Sequence, residues 1–194
     1  ISIVCGPGFY GIFHVGLEGL LDIAAFFAVV GSVRTGSPWG GLLYAIVACL
    51  VASLVFAVVH LEMKANEIIV GLAMNIFATG LTNFLLVAIL DAVGFYQSPE
   101  IIGFSQVNIP VLKDIPVISE LLSGHFPLVY FSFLFVLIVY ILLYRTPFGF
   151  HLRAVGEKIE AAEAVGIDPK KIKYIGLLIC GVLCALGGTF LSLS

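Results

Sequence analysis

Charged residues are scarce in this sequence. Of its 194 residues only 11% are Asp, Glu, Lys or Arg, whereas 61% are hydrophobic. Soluble domains carry about 25% charged residues, so the composition excludes an ordinary water-soluble globular domain. The chain also has no basic tract, and we therefore predict no nucleic-acid partner.

Motifs for catalysis and metal binding are missing as well. The four cysteines show neither CxxC nor Cys/His ligand spacing, so no metal site is predicted. No Walker A pattern and no Gly-rich phosphate loop occur, so this chain is not expected to bind ATP. We predict no catalytic residue and no cofactor in the chain itself.

Long apolar runs dominate what is present. A membrane-spanning helix needs about 20 predominantly apolar residues. Five segments come near that length, and the spans that they predict lie at 11–33, 39–61, 66–90, 127–144 and 172–194. The predicted fold class is an all-α, polytopic transmembrane helix bundle forming one domain, 1–194. The chain starts at Ile1 and stops inside an apolar run, so we expect it to be a fragment of a larger protein.

The links between these segments differ in charge. The link at 145–171 and the residues just after it contain most of the Lys and Arg, whereas the link at 91–126 has Lys113 alone against four acidic residues. Cytoplasmic links carry an excess of Lys and Arg. The charged link is therefore predicted to be cytoplasmic and 91–126 external.

The third apolar segment, "NEIIVGLAMNIFATGLTNFLL", contains polar residues at a helical spacing. Asn75, Thr79 and Asn83 recur every four residues and share one face at about 100° per residue. We interpret this stripe as lining a solute path. The alternative is that these side chains only bond neighbouring helices. Glu67 lies at the start of the segment, where its negative charge is expected to stabilise the N-terminus of the helix.

The first segment, "GFYGIFHVGLEGLLDIAAFFAVV", combines glycines with ionisable residues. His14, Glu18 and Asp22 follow at i, i+4 and i+8, and so lie on one face. This combination is typical of broken or closely packed helices at transporter substrate sites, which makes Glu18 a second pathway candidate. A proton relay through Glu18 and Asp22 is one alternative. Charges lying in interfacial water are the other.

A charged stretch, "RTPFGFHLRAVGEKIEAAEAVGIDPKKIK", runs from Arg145 to Lys173. We expect Pro147 and Gly149 to end the fourth span. The Ala- and Glu-rich residues Glu157–Ile167 then predict a short helix that ends at Gly166. Asp168 and Pro169 are suited to begin the next helix. A solvated loop is the alternative interpretation.

The charged stretch strongly resembles the cytoplasmic loop of ABC importer permease subunits in the branched-chain amino acid, ribose and nucleoside family. The third segment and "FHVGLEGLL" are similar to segments of its nucleoside and simple-sugar branch. His14 departs from the Asn usual in that branch, and Lys158 from a common Asn. The resemblance implies that Glu157–Ile167 is a coupling helix that docks on a separate ATP-binding subunit. Its contacting residues would be Glu157, Glu160, Ala161, Ala162, Glu163 and Gly166.

The resemblance further implies a multi-pass permease of the bacterial inner membrane, importing nucleosides or simple sugars. Its partners would be the ATPase, which holds ATP and Mg, a second permease subunit, an external solute-binding lipoprotein and membrane lipid. Two other functions stay open from the residues alone. One is a proton-coupled secondary transporter that uses Glu18 and Asp22, and the other is a non-transporting scaffold subunit.

Overall fold

The computed structural model describes residues 15–91 and 127–193. Within these ranges the chain is helical and contains no strand. His14, the first residues of the predicted span at 11–33 and nearly all of the predicted external link at 91–126 lie outside the described residues. The helices are α1 (Leu17–Thr35), α2 (Pro38–Leu61), α3 (Glu67–Leu90), α4 (Pro127–Arg145), α5 (Pro147–Glu157), α6 (Ile159–Ala164) and α7 (Pro169–Leu193).

Several of these helices could cross a membrane. By length and composition α2, α3 and α7 qualify among the described residues, and α4 with α5 forms a fourth candidate if the pair, bent by 70°, counts as one span. Each of α2, α3, α4 and α7 begins and ends within one turn of a predicted span. α1 has Glu18, Asp22 and Arg34 in its 19 residues. The predicted all-α bundle is confirmed, whereas the role of α1 as a span stays a prediction.

Three helices, α1, α2 and α7, pack against one another and form the centre of the bundle. Cys180, Cys184 and Gly188 of α7, which are spaced by four residues, are all buried and form a small-residue face of this helix. A Cβ added to Gly188 would collide with Ala24 of α1, and one added to Gly181 would collide with Ser53 of α2. Small side chains let helix backbones approach closely where apolar surface alone gives no drive to associate.

The close-packed face of α2 is made of small residues, but not every small residue of this helix belongs to it. Ala48 and Ala52 show small-residue spacing, but both are only partly buried and line an apolar cleft between α2 and α3 of about 790 Å³. The buried small residues lie one position further along and repeat every four residues: Gly41, Ala45, Cys49, Ser53 and Ala57. Small residues are frequent throughout this helix, so spacing alone did not identify the packed face.

Two contacts define the ends of the bundle. At one end, Trp39 near the start of α2 packs edge-on against Phe131 of α4, with ring centroids 5.9 Å apart. At the other end, the Lys170 ammonium of α7 lies 3.1 Å from the Glu62 carboxylate, just after α2. The turn at Glu62–Ala65, which connects α2 to α3, therefore lies at the same end as the charged stretch.

Candidate functional site

The two polar segments identified in the sequence pack against each other as α1 and α3. The helices run parallel: Gly16, just before α1, and Gly19 and Asp22 within it lie beside Gly71, Asn75 and Thr79 of α3, in that order. Glycine makes the contact possible. A Cβ on Gly19 would lie 3.0 Å from Ala78 Cβ and 3.0 Å from Asn75 Cα, which is closer than ordinary side-chain contacts.

Asn75 caps the first turn of α1 from the neighbouring helix. α1 begins after Gly16, which offers no side chain to the unpaired N–H groups of that turn. The Asn75 Oδ1 atom accepts a hydrogen bond of 2.9 Å from the Gly19 N–H. Its Nδ2 group donates to the Val15 carbonyl at 3.1 Å. Both ends of the Asn75 amide are therefore bonded to backbone within or just before the first turn of α1, and their direct effect is to hold the start of that helix.

Asp22 and Thr79 form a polar pair about halfway along α3. The Thr79 hydroxyl donates to Asp22 Oδ2 at 3.0 Å. Both residues are exposed on the described part of the chain. An ionised carboxylate at the depth of a membrane core is costly in hydrocarbon and normally faces protein or water. Lipid would therefore be an unfavourable neighbour for this side of the α1–α3 pair.

Glu18 and Asn83 extend the same polar surface. Glu18 is exposed one turn before Asp22 on α1. Asn83 is also exposed, and its Nδ2 group donates to the Thr79 carbonyl at 2.9 Å. The structure thus brings together four exposed polar side chains, which we call the polar face: Glu18, Asp22, Thr79 and Asn83. Sequence reasoning left Asp22 to the alternatives, a proton relay or a charge in interfacial water, although its i+4 spacing from Glu18 placed both on one face of the helix.

Across residues 15–91 and 127–193 no three His, Cys, Asp or Glu side chains are grouped so that they could hold an ion.

The charged stretch begins with a helix that the sequence did not predict. Pro147 does end α4, but it also opens α5, because proline suits the first position of a helix. Thr146 serves both helices. Its hydroxyl donates to the Leu142 carbonyl at the end of α4 and accepts from the Gly149 N–H at 3.4 Å at the start of α5. After the fourth candidate span the chain thus forms an ordered corner followed by a helix.

The short helix predicted at Glu157–Ile167 is present but smaller. α6 covers Ile159–Ala164, and Glu157 is instead the last residue of α5. Gly166 ends it with φ of +83°, a left-handed conformation that suits glycine. Its N–H donates to the Glu163 carbonyl at 2.9 Å, and the next N–H, of Ile167, donates to the Ala162 carbonyl at 3.0 Å. This bonding confirms the predicted role of Gly166 as the helix terminator.

Asp168 begins α7, as the sequence predicts. Its Oδ1 atom accepts from the backbone N–H groups of Lys170 at 3.1 Å and Lys171 at 3.4 Å. The Lys171 side chain lies 3.2 Å from the other carboxylate oxygen. These hydrogen bonds, led by that of the Lys171 side chain, hold the pKa of Asp168 below its ordinary value. The carboxylate is therefore ionised near neutral pH and favours the start of the helix.

The predicted coupling residues divide into two groups by exposure. Ala162 is only 2% exposed and lies on the side of α6 that packs against the rest of the chain. The others are on the surface or close to it: Glu157, Glu160, Ala161, Glu163 and Gly166. Val165 at 74% and Ile159 at 43% exposure add apolar area that sequence reasoning missed. We call the exposed side chains of α6 together with Val165 the α6 surface.

Comparison with known proteins gives a consistent family. The family model described as branched-chain amino acid transport system, permease component, matches residues 7–194. The chain is 35% identical over 187 residues to the guanosine ABC transporter permease protein NupQ of Bacillus subtilis, covering 92% of this chain and 57% of that protein. It is also 35% identical over 189 residues to the nucleoside ABC transporter permease protein NupC of Lactococcus lactis, with the same coverage of 92% and 57%.

A third relative has a different named solute. The putative glucose ABC transporter permease protein TsgC13 of Haloferax volcanii is 29% identical over 188 residues, covering 95% of this chain and 55% of that protein. The chain therefore spans little more than half the length of these curated relatives. No solved structure matches it.

Proposed function

The chain belongs to the family of branched-chain amino acid transport system permease components and is a multi-pass membrane protein, and on that premise we propose that it forms part of the permease of an ATP-driven importer for nucleosides or simple sugars. The named solutes of its relatives are guanosine, nucleosides and glucose. All of these molecules carry several hydroxyl groups. A path for them needs hydrogen-bonding side chains along an otherwise apolar bundle.

The Asp22–Thr79 pair is the observation that carries this proposal. It lies about halfway along α3 and remains exposed in the described chain, although a carboxylate in hydrocarbon is costly. Sugar hydroxyls donate hydrogen bonds to carboxylate and amide oxygens, which the polar face offers at Glu18, Asp22 and Asn83. In this proposal the polar face borders the solute path, and Asn75 keeps α1 in register with α3.

The apolar cleft between α2 and α3 does not fit the same role. It is lined by aliphatic and aromatic side chains such as Val51, Phe56 and Phe77. A hydroxyl-rich solute would lose its hydration there without gaining hydrogen bonds. The path is therefore assigned to the polar face, which lies on a different side of α3.

Coupling to ATP hydrolysis is proposed to occur at the α6 surface. The exposed carboxylates of Glu160 and Glu163 can pair with basic residues of an ATP-binding subunit, while Ala161 allows close approach. Apolar area at Ile159 and Val165 would be covered in the same contact. ATP and Mg would be bound by that partner and not by this chain.

The remaining partners follow from the same proposal. A second permease subunit would complete the path, and a solute-binding lipoprotein would dock at the external end, on the side predicted for 91–126. The assembly would lie in the cytoplasmic membrane, with the α6 surface facing the cytoplasm.

The test is uptake of labelled guanosine and glucose by the intact permease, reconstituted with its ATP-binding and solute-binding subunits. We expect uptake to require ATP on the side of the membrane where the ATP-binding subunit is bound. Uptake should persist when a protonophore collapses the proton gradient. Uptake that needs no ATP and is abolished by the protonophore would overturn the proposal.

That second result would support a proton-coupled transporter instead. The observation that favours this alternative is the exposure of Glu18 and Asp22 on one face of α1, one turn apart. Such carboxylates can take up and release protons during transport. Replacing Asp22 with Asn separates the two functions further. A proton-coupled transporter would lose gradient-driven accumulation, whereas an importer would keep ATP-driven uptake at a reduced rate.

A further inference from the structure

The corner between α4 and α5 leaves one backbone group without its usual partner. In an α-helix the carbonyl of residue i accepts from the N–H of residue i+4. For Leu143 that residue is Pro147, which has no N–H. The Leu143 carbonyl instead accepts a hydrogen bond of 3.2 Å from Arg153 Nη2, supplied from the second turn of α5.

The same guanidinium also bonds α5 and stacks on aromatic rings from both helices. Arg153 Nε donates to the Gly149 carbonyl at 3.4 Å. The guanidinium carbon lies 4.9 Å from the ring centroid of Tyr144, in α4, and 5.0 Å from that of Phe150, in α5. A planar, forked cation can make these contacts together, whereas a lysine ammonium has neither the plane nor the fork.

Glycine at position 149 permits the tight corner on which these contacts depend. A Cβ there would collide with the backbone carbonyl of Leu143. Gly149 is buried, and Leu152 and Val155 of α5 are buried as well. One face of α5 is therefore fixed by packing, while Arg153 fixes the end of α4 to it.

The junctions between helices in the rest of the charged stretch are short and hydrogen-bonded. Lys158 is at once the residue after α5 and the residue before α6. Its N–H donates to Ala154 at 3.1 Å, and its carbonyl accepts from Ala162 at 3.2 Å. Ala162 is buried, Gly166 terminates α6, and Asp168 begins α7. The path from α6 back to α4 thus consists of helices joined by bonded corners.

We propose that Arg153 is a positioning residue for coupling: it locks the 70° angle between α4 and α5, so that displacement of the α6 surface moves the membrane helices instead of bending the corner. This inference rests on the proposed function as an ATP-driven importer. It assigns Arg153 a role without contact to solute or to the ATP-binding subunit. Its loss is expected to separate ATP hydrolysis from transport.

The test compares Arg153→Gln and Arg153→Lys in the intact permease, assembled with its ATP-binding and solute-binding subunits in proteoliposomes. Guanosine uptake and ATP hydrolysis are measured in the same vesicles, together with the amount of ATP-binding subunit retained. Arg145→Gln is the matched control. It removes the same charge from the same end of the bundle, at an exposed side chain that ends α4.

We expect both Arg153 variants to retain the ATP-binding subunit and to hydrolyse ATP, but to transport about fivefold less guanosine per ATP, a size typical of disrupted coupling. Arg145→Gln should keep the wild-type ratio. A wild-type ratio in Arg153→Lys would overturn the proposal, because charge alone would then suffice. Equal losses of uptake and of retained ATP-binding subunit would also overturn it, since the role would be merely structural.

Failure of the proposed function gives a different result. In that case the wild-type protein itself would show no ATP-driven uptake, whatever residue stands at position 153.

Discussion

The Thr79 hydroxyl donates a hydrogen bond of 3.0 Å to the Asp22 carboxylate, joining α1 and α3 about halfway along the longer helix. Residues 57 positions apart in the sequence thereby become one polar unit. Both helices are otherwise largely apolar, so this hydrogen bond is a polar contact in the middle of an apolar helix pair.

Removing the Thr79 hydroxyl should impair transport. Thr79→Val keeps the shape of the side chain but leaves Asp22 without its donor, and a hydrogen bond to a charged group contributes about 1.5–3 kcal/mol. We expect guanosine uptake to fall by about tenfold or more, since about 1.4 kcal/mol corresponds to a factor of ten. Thr82→Val is the matched control, because its hydroxyl donates to the carbonyl of Thr79 on its own helix and not to Asp22. Equal uptake by the two variants would show that the pair has no part in transport, as expected of a scaffold subunit.

The contact between α1 and α3 should not tolerate a methyl group at position 19. Gly19→Ala places its Cβ 3.0 Å from Ala78 Cβ, so the helices must separate, at a cost of about 1–3 kcal/mol typical of overpacking. Thermal unfolding in detergent should show a lower midpoint. Gly80→Ala is the control, since nothing lies within 4 Å of a Cβ there and alanine favours the helix by about 1 kcal/mol. A midpoint for Gly19→Ala at or above that of Gly80→Ala would contradict the close contact.

Neighbouring alanines of α6 should respond differently to the same change. Ala161→Leu adds bulk to the exposed α6 surface and should weaken retention of the ATP-binding subunit without lowering the unfolding midpoint. Ala162→Leu adds bulk at a site that is 2% exposed, and should lower the midpoint through overpacking by about 1–3 kcal/mol. Co-purification and thermal unfolding measure the two effects. Wild-type retention and transport in Ala161→Leu would mean that the partner does not dock on this surface.

Gly166 offers a test of backbone conformation. Its φ of +83° disfavours residues with a Cβ, by about 1–2 kcal/mol, but Asn accepts left-handed conformations better than Ala. Gly166→Ala should therefore reduce retention of the ATP-binding subunit more than Gly166→Asn, because alanine would distort the left-handed turn that ends α6. Indistinguishable retention by the two variants would show that the termination of α6 does not affect docking.

Sequence periodicity predicted much of this arrangement, but only one helix at a time. The spacing of Asn75, Thr79 and Asn83 defined a polar face, and that of Glu18 and Asp22 defined another. Nothing in either pattern shows that the two faces meet, because helix pairing depends on glycine contacts far apart in the sequence. For the same reason, small-residue spacing does not distinguish Ala48 and Ala52 of α2 from the packed face that contains Cys49.

The corner at Pro147 was missed for a different reason. Proline can end one helix and can also begin another. Whether a loop or a new helix follows Pro147 depends on hydrogen bonds such as those of Thr146 and Arg153, which the proline itself does not indicate. Arg153 is six residues from Pro147, too far for a turn signature to include it. Burial of Ala162 likewise depends on packing against other helices, which composition cannot reveal.

Only Lys158 separates α5 from α6, so we expect this part of the chain to tolerate substitutions better than insertions or deletions. An α-helix turns by about 100° per residue, so inserting one residue beside Lys158 would rotate α6 by roughly that angle and turn Ala162 toward solvent. Most surface connections absorb insertions and deletions. In the segment between Thr146 and Asp168, however, insertions and deletions should be tolerated far less well than substitutions at its exposed positions.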